Sequence, residues 1–109
     1  MYIKPPRPWS RAMVVLYSGG MLTVELSPRA LRDLKNLPTH HARIILDDLE
    51  ILRTVPWPGP PKMKFLKGVS YSRLRTGDFR SIVVREGHKV VVLRIVARKD
   101  FETILKGLS

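Results

Sequence analysis

Arginine and lysine are the side chains through which this chain could do chemistry, and they crowd its second half. Residues 56–109 hold twelve basic and four acidic side chains, a local charge of +8, whereas residues 1–55 hold eight and five. Lys62, Lys64 and Lys67 come first, then Arg73, Arg75 and Arg80, then Arg94, Arg98 and Lys99. A guanidinium is a planar fork that matches phosphate oxygens, and an ammonium is a mobile point charge. Together they suit a phosphodiester backbone. Tyr71, set among them, has the flat face needed to stack on a base.

RNA transesterification needs more than binding. The 2′-hydroxyl must be activated, the phosphorane stabilised and the leaving oxygen protonated. Paired histidines or carboxylates usually do this, and here they stand elsewhere. His40 and His41 open a predicted helix, and His88 sits in a predicted turn. Asp78 and Glu86 are turn residues, where a carboxylate commonly bonds nearby backbone. No His, Asp or Glu cluster has metal-ligand spacing, so neither a metal nor any other cofactor is expected. Cysteine is absent, which excludes thiolate zinc sites, thiol nucleophiles and disulfides. Any catalysis would therefore be cationic, with Arg and Lys facing the phosphorane. A lysine depressed by neighbouring positive charge could serve as base.

The elements that must carry these cations can be read from hydrophobic period. Residues 22–26 alternate as a strand, and Ser27-Pro28 then starts a helix, with Ser27 as N-cap. A second helix is expected from Thr39 as cap. Its apolar face comprises Ala42, Ile45, Leu46, Leu49 and Leu52, and Val55-Pro56 ends it. The short connection predicts an antiparallel helix hairpin. Beyond a proline-rich connector at 56–61 the period becomes two. Strands are expected at 71–75, 79–85 and 89–96, separated by turns at Gly77 and Gly87. Residues 62–65 read as a short edge segment, 89–96 as the central strand, and 101–108 as a terminal helix. The predicted class is α+β: an N-terminal strand, an antiparallel two-helix hairpin, then a three-stranded antiparallel meander completing a twisted sheet. Alternation sends Tyr71, Arg73 and Arg75 to one face, and places Arg94 and Arg98 together on the last strand.

The 109 residues suffice for one domain with a real core. Residues 1–20, with Pro5, Pro6, Pro8 and Ser18-Gly19-Gly20, are expected to form a flexible N-terminal extension, within which 13–17 could be a strand; the domain proper is expected at 21–109. No apolar run approaches the roughly 18–20 residues of a membrane span, so no membrane partner is expected. The net charge of +11 and pI near 10.8 point to a polyanionic partner, with nucleic acid first. The lack of cysteine fits the cytoplasm.

The second half also resembles a known family. Leu66-Lys67-Gly68, then Leu74-Arg75-Thr76-Gly77-Asp78-Phe79-Arg80, then Arg98-Lys99-Asp100 is similar to the pattern of RelE/ParE superfamily toxins of toxin–antitoxin pairs. The stretch from Val24 to Pro38 adds to the resemblance, which covers about residues 21–108. It implies a twisted antiparallel sheet with two helices on one face, and for RelE-like members a metal-independent, ribosome-dependent mRNA endoribonuclease. It implies catalytic roles for Arg73, Arg80 and Arg98, with Lys62, Lys64, Lys67, Tyr71, Arg75, Arg94 and Lys99 binding nucleic acid. The partners implied are an acidic-tailed antitoxin, mRNA on the ribosome, and operator DNA for the toxin–antitoxin complex only. Phe101 and Glu102 stand where nuclease members often carry a tyrosine, and Ala97 stands where they often carry a histidine. That departure supports two alternatives: a ParE-like toxin that inhibits DNA gyrase without cutting nucleic acid, and a degenerate nucleic-acid-binding member.

Overall fold

Alternating β-branched residues and two glycine turns build the sheet. In the computed structural model, which describes residues 14–66 and 70–108, six strands line up. They are β1 (Val14–Tyr17), β2 (Thr23–Leu26), β3 (Met63–Phe65), β4 (Ser72–Thr76), β5 (Phe79–Glu86) and β6 (Lys89–Ala97), in the spatial order β1-β2-β6-β5-β4-β3. Only β2 and β6 run parallel; the other neighbours are antiparallel. Thr76 pairs with Phe79 and Glu86 with Lys89, so each turn has two residues, led by Gly77 at φ 56° and Gly87 at φ 63°. A side chain with a Cβ is strained in that region, which is why glycine stands there.

Helix α1 (Pro28–Lys35) starts as its residues dictate. The Ser27 hydroxyl accepts from the Ala30 N–H at 3.1 Å and donates to the Leu93 carbonyl at 2.8 Å. One side chain therefore caps the helix and ties it to β6. Helix α2 (Thr39–Leu49) departs from expectation: Thr39 is its first helical residue, Pro38 takes the cap position, and no side chain caps it. A turn of 3₁₀ helix (Glu50–Arg53) prolongs it. Helix α3 (Phe101–Leu108) follows a 3₁₀ turn (Arg98–Asp100) after β6.

The sheet has helices on both faces. Against α1 and α2 lies a core of Val24, Leu26, Ala30, Ile45, Leu49, Leu52, Leu74, Val83, Val90, Val92 and Ile95. Against α3 lies a smaller one of Tyr71, Ile82, Val84, Val91, Leu93, Val96 and Phe101. Strand β6, supplying both cores, is an interior strand as its apolar run implies. Each fully buried Leu or Val contributes about 1.5–3 kcal/mol of hydrophobic stabilisation, so the two-sided burial of β6 anchors the fold.

Two expectations change. The meander has four consecutive strands rather than three, because β3 pairs with β4 through Met63↔Leu74, Lys64↔Arg73 and Phe65↔Ser72. A domain limit after Gly20 leaves out β1, which pairs with β2 and extends the sheet past it. The Tyr17 hydroxyl donates to the Leu46 carbonyl of α2 at 2.8 Å, so β1 is tied to both sheet and helix. Arg7, Trp9, Arg11, Lys67 and Gly68 lie outside the described residues.

Candidate nucleic-acid interface

Register decides which cations meet. Arg73 pairs with Ile82, and Arg80 pairs with Val96 on one side and Arg75 on the other. Directly paired residues share a face, and Ile82 and Val96 belong to the α3-side core. Arg73, Arg75 and Arg80 therefore project from that face, beyond the part α3 covers. Lys64, paired with Arg73, projects with them. Arg98 reaches the same place from the turn after β6, where its N–H donates to the Asp78 carbonyl at 2.7 Å.

Arg80 lies at the middle of this group. It is 8% exposed, and its Nη1 donates to the carbonyls of Gly77 at 2.8 Å and Phe79 at 3.0 Å. Burial lowers its pKa from the ordinary arginine value, and the positive charges of Arg73, Arg75 and Arg98 lower it further, with Asp78 opposing. Burial is the larger cause, and the positive charge of three neighbouring guanidinium groups adds to it.

Two like-charge pairs sit side by side on the same face: Lys64 opposite Arg73, and Arg75 opposite Arg80. Like charges directly across an antiparallel pair are destabilising, by up to about 1 kcal/mol each. Folding alone does not favour the arrangement, whereas a bound polyanion does. Chemically the face can bind phosphates and stabilise a dianionic phosphorane. Among the described residues its side-chain proton donors are lysine and arginine, not histidine. His41 packs instead against Phe79, with ring centroids 5.4 Å apart, and Phe79 belongs to the opposite, helix-side core. Among the described residues no three His, Asp or Glu side chains are grouped so as to hold a metal ion.

Three residues expected at the interface are engaged elsewhere. Arg94 makes a two-point ion pair with Asp33 of α1, at 2.8 and 3.1 Å. The reason is a bulge: β5 pairs Val83 with Val92 but Ile82 with Arg94, so Leu93 is an extra residue and strict alternation fails. Asp33 also accepts from the Ile95 N–H at 2.9 Å, closing the edge of β6 where β2 has ended. Lys62 is ion-paired with Asp48 of α2. Tyr71 is 9% exposed and donates its hydroxyl to the Leu108 carbonyl at 3.0 Å, fastening the end of α3 instead of offering a stacking face. Lys99 stands exposed beside Arg98. The carboxylates of Asp33 and Asp48 were not singled out by sequence; the only hint is that Asp33 is the lone acid in a helix with Arg29, Arg32 and Lys35.

Fold and site define a small basic α+β domain with a helix-backed sheet and an arginine cluster at one end. No family model matches the chain. A Methanocaldococcus jannaschii protein named as the candidate toxin RelE1 is 35% identical over 83 residues, spanning 71% of this chain and 89% of that one. The archaeal RelE–RelB complex from Pyrococcus horikoshii matches with a TM-score of 0.62 and 25% identity, over 72% of this chain and 96% of that one. The RelBE2 toxin–antitoxin complex from Mycobacterium tuberculosis matches with a TM-score of 0.54 and 26% identity, over 69% and 95%. The chain belongs to the RelE family of toxins.

Proposed function

We propose that this chain is a ribosome-dependent mRNA endoribonuclease that inhibits translation, with Arg73, Arg80 and Arg98 at the scissile phosphate and Lys64, Arg75 and Lys99 holding the flanking backbone. The observation that carries the reading is the paired like charges around half-buried and buried arginines on the α3-side face, beyond the part α3 covers. Preorganised cations of this kind stabilise phosphorane charge where it develops, a contribution of several kcal/mol in comparable sites. Proton transfers beyond those that a lysine of the face can make fall to groups of the ribosome or the RNA. The protein acts in the cytoplasm, and its resting partner is an acidic antitoxin. RelE relatives have been solved as complexes with RelB, and the net charge of +11 complements such a partner.

One observation favours a second reading, a gyrase-directed toxin without nuclease activity: residue 101 is a phenylalanine, which carries no hydroxyl, and the Tyr71 hydroxyl is donated to the end of α3, so neither offers a phenol to the patch. Primer extension on an mRNA in a reconstituted translation reaction separates the two. Cuts that need ribosomes establish the nuclease. A folded, toxic protein that yields none, and that blocks supercoiling by gyrase, establishes the alternative.

A further inference from the structure

The β4–β5 turn is held from three sides. From α2, the Asp48 carboxylate accepts from the Thr76 hydroxyl at 2.5 Å, on the same oxygen that pairs with Lys62. From within, the Gly77 carbonyl accepts from Arg80 Nη1 at 2.8 Å. From the far side of β5, the Asp78 carbonyl accepts from the Arg98 N–H at 2.7 Å. Lys62 is also tied to the strand next to Thr76, since the Arg75 N–H donates to the Lys62 carbonyl at 2.8 Å. Two of the clustered arginines are thus fixed by consecutive carbonyls of one two-residue turn, and that turn is fixed to the helix layer by one carboxylate.

From this geometry we infer that Asp48 and Thr76 are positioning residues for the cationic face: they set the turn that aims Arg80 and seats Arg98. The inference rests on the reading of that face as a polyanion site. Thr76 is 8% exposed and Asp48 lies among groups it can bond, so neither touches a substrate on the opposite face of the sheet. The positive charges of Arg73, Arg75 and Arg98 all act on Arg80, and a turn free to shift relieves that repulsion by moving Arg80 and Arg98 apart. The bond from Thr76 to Asp48 opposes this relaxation. A carboxylate also accepts more strongly than a neutral oxygen, and Lys62 pairs with the same oxygen, holding it in place. Lys62 therefore serves the site from behind the sheet.

The test uses three variants of the full chain, Thr76→Val, Thr76→Ser and Asp48→Ala, and a single-stranded RNA oligonucleotide as probe. Binding is measured by filter retention across a salt series, beside thermal unfolding. Wild type should show log K falling with log[salt] at a slope near −3, about 0.7 per phosphate neutralised. Thr76→Val, nearly isosteric, should remain folded at the assay temperature, lose about one unit of slope and bind several-fold more weakly at low salt. Thr76→Ser, which keeps the hydroxyl, should restore the wild-type slope. Asp48→Ala should repeat the valine result if it folds. In the translation reaction Thr76→Val should lower kcat more than it raises KM. A folded Thr76→Val with wild-type slope and kcat would overturn the inference while leaving the polyanion reading intact. A flat salt dependence in wild type itself would overturn that reading and this inference with it.

Discussion

Replacing Arg75 with glutamine should make the protein more stable and less able to bind RNA. Arg75 lies directly opposite Arg80, with Arg73 and Arg98 also acting on Arg80. Charges about 6 Å apart repel by about 0.7 kcal/mol at the dielectric of water and about 2.8 at an effective value of 20. Arg75 is exposed, so the lower figure governs, in line with the range for like charges across a strand pair. Glutamine keeps the length and polarity of the side chain, leaving the strand undisturbed. A gain of about 0.7 kcal/mol corresponds to roughly 3–4 °C in Tm for a domain of this size. The gain must be electrostatic, so it should shrink as the Debye length falls from about 10 Å at 0.1 M to about 3 Å at 1 M salt. Thermal unfolding followed by circular dichroism at both salt concentrations measures it. RNA binding by the same variant should lose about 0.7 units of salt slope, one phosphate contact. A Tm that falls at low salt, or a rise that persists undiminished at 1 M, would refute the view that Arg75 and Arg80 are held together against their own repulsion.

The residues reassigned to structural roles make their own predictions. Asp33→Ala strands the Arg94 guanidinium and the Ile95 N–H at once, and should cost roughly 2–4 kcal/mol by denaturant unfolding, because removing one partner leaves the other desolvated and unpaired. Arg94→Ala, by contrast, should leave the salt slope of RNA binding at the wild-type value; a loss of slope would return Arg94 to the interface. Tyr71→Phe should cost about 1 kcal/mol and increase hydrogen exchange in α3 while cleavage persists, since the hydroxyl bonds the Leu108 carbonyl. Loss of cleavage without loss of stability would mean that the phenol itself faces the RNA.

Local pattern determined a good deal of this protein. Ser27-Pro28 specified the first helix, because a hydroxyl placed before a proline with preset φ satisfies an orphan N–H wherever it occurs. Gly77 and Gly87 specified two tight hairpins, since only glycine takes positive φ without strain. Period-two alternation placed Tyr71, Arg73 and Arg75 on one face, and the strand register then set Arg80 opposite Arg75. Tertiary structure decided the rest. Alternation could not foresee the extra residue at Leu93, so Arg94 went to Asp33, 61 positions away in sequence. Nothing near Lys62 in sequence announces Asp48, because a carboxylate on a helix shows its partner only after helix and sheet have packed. Strand β1 looked like part of a leader rich in proline, and it became part of the domain only by pairing with β2. Side-chain charge and backbone φ are properties of short stretches, whereas the choice among several possible partners for a cation is made by which surfaces the core brings together.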